Sequence, residues 1–291
     1  MKGRKTRLTD YVELLKPGLC FFIGLSAVLG QVTADQKISG ASAGLGGLVF
    51  ILACGSAVLN NIQDREYDSN FIRTACRSLP RKKLPISHAV CLSILLIVFG
   101  LTGLAFFYNF LAFFFGSLAV FSYNGLYTPL KKYSLSAIIP GSLTGMLPPL
   151  IGWVGAGNGW MFKEILLIMG IFGLWQIPHF FIILLKTQHN IQGASDKKRY
   201  PCFTNQFSPP EIRLQVLIWT SLYSLAIILF LMTGPFNSPA LSVFTGINAV
   251  AVFAVLTVIL FQKQKTIHAF AAINLSMFLF MAAGIGDKCV L

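Results

Sequence analysis

Carboxylates are the scarcest charged groups in this sequence. Ten Asp and Glu stand against 23 Lys and Arg, and no acidic residue falls between Asp68 and Glu164. None lies inside an apolar stretch of the chain, which argues against an ion-coupled carrier, since carriers place ionisable groups and broken helices near the bilayer midplane. Cysteine is equally uninformative as a framework. The six cysteines, Cys20, Cys54, Cys76, Cys91, Cys202 and Cys289, show no C-x-x-C spacing, so neither a zinc site nor a disulfide scaffold is indicated. There is no low-complexity tract, no strong internal repeat and no segment that reads as a soluble domain. A single membrane domain over residues 1–291 is expected, with 1–17 as a cytoplasmic amino-terminal segment.

What the chain has is apolar surface. Hydrophobic residues make up 55% of it, charged residues 11%, and Phe alone occurs 26 times, so water is not its main solvent. A hydrocarbon core about 30 Å thick takes roughly 20 apolar residues per helix. Nine stretches of about that length are read at 18–33, 41–60, 88–107, 109–127, 137–157, 165–185, 214–233, 239–261 and 267–286. The expected fold is therefore an all-α polytopic membrane protein of nine transmembrane helices.

Basic residues close to spans stay on the cytoplasmic side. Every Lys and Arg except Lys37, Lys163 and Lys288 falls in the amino terminus or in the loops around 61–87, 128–136, 186–213 and 262–265. These segments are assigned to the cytoplasm, which puts the carboxyl terminus on the opposite face. No cleavable targeting stretch is read before Pro17 and no organellar presequence is seen, so a bacterial inner membrane is expected. The net charge of +13 then sits on one face of the bilayer, where anionic lipid heads and a phosphorylated substrate are the expected partners and nucleic acid is not.

Because acidic residues are rare, a cluster of three between 64 and 68 locates function. Asn60, Asp64 and Asp68 recur every four residues and share one face of a helix, whereas Glu66 points the other way. Two carboxylates at that spacing repel each other, and a cation removes the cost. Mg²⁺ takes one or two carboxylates and fills its other positions with water and phosphate oxygens. Asp68 has Arg65 within a helical turn; Asp64 has no base three or four residues away on either side. The following loop carries Arg73, Arg77, Arg81, Lys82 and Lys83, bases suited to a diphosphate, though retention of basic residues on this face explains them as well.

A second cytoplasmic loop holds His189, Asn190, Asp196, Lys197, Lys198 and Arg199, with one carboxylate where the first has a pair. Residues 123–132, from Tyr123 to Lys132, read as a plain helix end with Tyr at the interface. His179, after Pro178, is the one ionisable side chain well inside a span, either a functional group or a histidine satisfied by a neighbouring helix.

The Asn60-x-x-x-Asp64-x-x-x-Asp68 stripe on the second of nine helices resembles the first Asp-rich motif of the UbiA-type intramembrane prenyltransferases. Arg73 and Arg77, the Tyr127-Thr128-Pro129 turn with Lys131-Lys132, the Pro148-Pro149 segment running to Gly152-Trp153, and Trp175-Gln176-x-Pro178-His179 look like the heme O synthase branch of that family. The resemblance implies nine helices around a central cavity and Mg²⁺-dependent transfer of farnesyl from farnesyl diphosphate to a vinyl of heme B. It implies catalytic and metal-binding roles for Asn60, Asp64 and Asp68, with Asp196 as a further metal ligand. Diphosphate contacts would come from Arg73, Arg77, Tyr127, Lys131, Lys197, Lys198 and Arg199. Acceptor contacts would come from Trp175, Gln176 and His179, and terminal-oxidase or heme A synthase machinery would be a further partner. The second Asp-rich motif of the family is not legible here, and Ser78 stands where the branch commonly has Pro. A transferase acting on a quinone precursor, and a heme-binding assembly factor without catalysis, are the alternatives.

Overall fold

The computed structural model describes residues 7–69, 74–188, 207–261 and 266–289. A short surface helix, α1 (Leu8–Leu15), precedes α2 (Pro17–Asp35), α3 (Gly40–Asp68) and α4 (Ile86–Phe107). Next, α5 (Phe110–Val120) continues as a π-helix over Phe121–Tyr127 into a single turn, α6 (Thr128–Leu130). The remainder is α7 (Ile138–Gly155), α8 (Lys163–Gln188), α9 (Pro209–Met232), α10 (Pro239–Phe261) and α11 (Thr266–Asp287). Among the described residues, nine of these segments are long and apolar enough to cross a membrane, at the places that hydropathy predicts.

Local chemistry sets the boundaries. Pro17 occupies the first position of α2, where its missing N–H costs nothing. Ser39 and Ser42 cap α3 reciprocally, and the Asn109 side chain accepts from Ala112 N (2.9 Å) to start α5 one residue after α4 stops at Tyr108. Pro178 does not interrupt α8, which stays a single helix through it.

Burial then sorts the helices. Ile94, Leu95, Val98 and Phe99 on α4 and Val243, Ile247 and Val250 on α10 are exposed, as a lipid-facing surface requires. By contrast α2 and α7 meet backbone to backbone. A Cβ added at Gly30 would lie 1.9 Å from Pro149 O, and one at Gly152 would lie 1.9 Å from Ala27 O, so only glycine allows this approach. The helices α2, α3, α7, α8 and α11, with the π-helical segment, surround a central cavity of about 340 Å³.

Candidate active site

The last turns of α3 bring Asn60, Asp64 and Asp68 to one buried face, with 4%, 5% and 7% exposure, just beyond Ser56 and Ala57, which line the cavity. That the spacing of four puts them on a common face is therefore seen directly. Asn60 Nδ2 donates to Asp64 Oδ2 (3.0 Å) and to Thr128 Oγ1 (3.0 Å). Asp68 does not pair with Arg65, the base within a helical turn of it. Arg65 turns outward to Glu66 (3.4 Å), and Asp68 is held instead by Arg77 Nη1 (2.7 Å).

Asp64 has bases after all, from far along the chain. Lys131 Nζ pairs with Asp64 Oδ2, and Lys132 Nζ lies 3.5 Å from Oδ1. Lys132 also donates to Gln63 O (2.8 Å) and sits over the Tyr67 ring at 4.6 Å. The segment that carries these lysines is more than the plain helix end read from the sequence. Its π-helical turns, with their wider i→i+5 bonding, stack Tyr123 on Tyr127 (5.6 Å between centroids, 13° between planes) along the cavity wall. Asn124 ties the turn to α3: its Nδ2 donates to Ser56 O (3.0 Å), and Gln63 Nε2 donates back to Asn124 O (2.9 Å).

One member of the site was invisible in the sequence beyond its charge. Lys16 joins α1 to α2 in the left-handed backbone region (φ 48°), which costs a non-glycine residue about 1–2 kcal/mol, and its Nζ donates to Asn60 Oδ1 (3.3 Å). The only signal for it was Pro17, which starts a helix directly after a base.

Lys16, Arg77, Lys131 and Lys132 thus face Asp64 and Asp68, four positive groups against two negative. The surplus is felt. Burial, with repulsion from Arg77 and Lys131, pulls the Lys16 ammonium down to about 8, against the opposing pull of Asp68 and Asp64. Burial also lowers Lys131, although Asp64 works the other way. Such a surplus of positive charge attracts anions. Asp64 Oδ1 is buried and accepts no hydrogen bond, with the Lys132 ammonium beside it at 3.5 Å. Among the described residues no group of three His, Cys, Asp or Glu assembles a full cage; an oxygen-poor site of one or two carboxylates suits Mg²⁺ that shares phosphate oxygens.

The cavity itself is mostly apolar with a few polar groups. His179, Gln176 and Trp175 of α8 line it together with Asn274 of α11, and so share one space with Tyr123 and Tyr127. The His179 ring lies between Trp175 and Phe270, 4.9 Å from each centroid, and its Nδ1 is buried without a hydrogen bond. Trp175 Nε1 is spent on Ile273 O (3.0 Å). Gly145 leaves the room that Gln176 uses: a Cβ there would stand 3.1 Å from Oε1. Arg73, His189, Asn190, Asp196, Lys197, Lys198 and Arg199 lie outside the described residues.

Residues 19–282 match the model of the UbiA prenyltransferase family. A protoheme IX farnesyltransferase of Geobacter sulfurreducens is 34% identical over 74% of this chain and 78% of its own length. One from Oleidesulfovibrio alaskensis is 28% identical over 92% of each chain. Among solved structures, a UbiA homologue from Aeropyrum pernix superposes with a TM-score of 0.71 at 16% identity, covering 94% of this chain and 97% of that one. A UbiA homologue from Archaeoglobus fulgidus bound to GPP and Mg²⁺ gives 0.68 at 16% identity, covering 97% and 100%. At such identity these two show a shared fold.

Proposed function

The chain belongs to the UbiA prenyltransferase family and is a membrane prenyltransferase; from that premise we propose that it transfers farnesyl from farnesyl diphosphate to a vinyl group of heme B, forming heme O. The observation that carries the reading is a cationic site with paired carboxylates bordering the cavity at Tyr127, whose ring Lys131 Nζ overlies at 5.4 Å, together with a buried histidine nitrogen without a hydrogen bond inside that cavity. Relatives named protoheme IX farnesyltransferase support the choice of acceptor.

In this reading Lys16, Arg77, Lys131 and Lys132 hold the diphosphate oxygens and take up the charge that develops when the allylic C–O bond breaks. Asp64, Asp68 and Asn60 are the residues that would hold Mg²⁺, which would supply further neutralisation of charge on the leaving group. The electron pair departs with the diphosphate. The stacked faces of Tyr123 and Tyr127 stabilise the positive allylic carbon through their quadrupoles, and the apolar walls keep water from it. The vinyl π electrons form the new C–C bond, and the cation left beside the porphyrin takes a water and releases a proton, giving the hydroxyethylfarnesyl group. Heme-extracted pigments from membranes expressing this chain, analysed by mass spectrometry, test the assignment: heme O is expected, and its absence beside abundant protein and heme B rejects it.

Protonated Lys16 is the form that binds an anion, so a bound diphosphate raises its pKa. The sign follows: affinity is full below about 8 and declines as pH rises above it, by up to about tenfold per pH unit for one linked proton. The dissociation constant of inorganic pyrophosphate with Mg²⁺, measured from pH 7 to 9.5, should show this rise in the native protein and a flatter, weaker profile in Lys16→Gln. A native profile flat through pH 9 would remove Lys16 from the anion site.

The reading places the protein in a bacterial inner membrane with the cationic site facing the cytoplasm, following the basic loops. In a cysteine-free background, Lys82→Cys should react with a membrane-impermeant thiol reagent only from the cytoplasmic side, and Gln36→Cys and Asn237→Cys only from the other. Labelling of positions 36 and 82 from the same side contradicts the orientation.

A further inference from the structure

Outside the cavity, α1 carries two carboxylates that meet one serine of the loop following α3. Ser78 is fully buried. Its hydroxyl reaches Asp10 Oδ1 (3.0 Å) and also Glu13 Oε2, and its backbone N–H donates to Glu13 Oε2 (3.2 Å). Two donors therefore serve two carboxylates. Asp10 is fixed in turn by Arg7 N (2.9 Å), which caps α1 and lowers the Asp10 pKa, and by Lys83 at 3.8 Å. On its other side α1 is bound to α3, where Asn61 Nδ2 donates to Leu14 O (3.0 Å).

The next residue back from Ser78 is Arg77, whose guanidinium holds Asp68. Glu13, Asn61, Asp68 and Arg77 line one water-sized cavity, so the α1 contacts and the cationic site are adjacent. A flexible arginine in a loop loses rotamer freedom when it grips an anion, and fixing its backbone beforehand lowers that cost. We propose that Ser78, latched by Asp10 and Glu13 of α1, is a positioning residue that presets Arg77 for the diphosphate. The latch has a chemical requirement that a residue of mere bulk would not meet: position 78 must supply both an N–H and a hydroxyl. Proline supplies neither, and alanine only the first.

The inference rests on the cationic site being a diphosphate site, and the experiment separates the two. Binding of inorganic pyrophosphate with Mg²⁺ is measured by calorimetry on the purified full chain, alongside KM and kcat for farnesyl diphosphate. Ser78→Ala should weaken pyrophosphate binding and raise KM by about tenfold, the size expected for loss of one hydrogen bond to a charged group, with kcat within about twofold. Ser78→Thr, which keeps both donors, should restore the native values. If Ser78→Ala fails to fold, Glu13→Ala on the exposed side of α1 decides, with the same expected weakening. Unchanged pyrophosphate affinity in the folded variants, or a fall in kcat and thermal stability with affinity kept, overturns the latch. A native protein that binds no pyrophosphate overturns the diphosphate site itself.

Discussion

Asp64→Asn should lower kcat by about 10²–10³ while leaving pyrophosphate affinity equal or tighter. The two halves of that expectation come from the two things Asp64 touches. As a metal ligand it supplies a charge that an amide cannot, and losing several kcal/mol of stabilisation of the leaving group costs orders of magnitude in rate. As the counter-ion of Lys131 and Lys132 it also competes with the diphosphate for those lysines, so its neutralisation frees them for the substrate. A side chain serving only as counter-ion would show the second effect without the first. Steady-state kinetics across a Mg²⁺ titration separates these cases: near-native kcat with ordinary Mg²⁺ dependence in Asp64→Asn removes the metal role.

The second large effect is expected at His179. The His179→Leu variant should abolish detectable heme B binding and reduce heme O formation by at least about tenfold, yet melt at the same or a higher temperature than the native protein. The stability half follows from the orphaned Nδ1 between Trp175 and Phe270. A buried polar atom without a partner costs about 1–3 kcal/mol, and an apolar side chain of similar volume does not incur it. The function half follows from what such an atom can do in a cavity. Neutral imidazole is a common haem ligand, and an unpartnered nitrogen is free to take that role or to bond a propionate. Absorption spectra of heme titrated into both proteins, with pyrophosphate binding as a control that should not change, read the outcome. Native heme binding and heme O yield in His179→Leu would make the histidine a packing residue.

The part of the site legible in the sequence was the part with local periodicity. Asn60, Asp64 and Asp68 are one helical turn apart, so their common face follows from the rise of a helix alone. Their partners are not local. Lys131 and Lys132 reach Asp64 across 67 and 68 positions of chain, and Lys16 reaches Asn60 across 44, so no window along the sequence joins them. Arg65 is the opposite case. It is near Asp68 in sequence, but it points away from the face that Asp68 shares with Asp64, and Arg77 fills the place. The π-helical turn at Phe121–Tyr127 had no signature either, because its apolar and aromatic residues suit the end of any membrane helix; what holds it is Asn124 on Ser56 and Gln63, a contact between distant elements. The nine spans were readable because their cause, a length of apolar chain matched to a bilayer, is written in composition.

The most direct measurement uses purified protein in detergent or nanodiscs with farnesyl diphosphate, Mg²⁺ and two competing acceptors, heme B and a hydroxybenzoate quinone precursor, followed by mass spectrometry of every product and assay of released diphosphate. The expected result is heme O in amounts equal to the diphosphate released, with the aromatic acid unprenylated and the rate of release lowered by about 10²–10³ in Asp64→Asn. A prenylated aromatic acid with heme B untouched would contradict it, and would assign the His179 end of the cavity to a different acceptor.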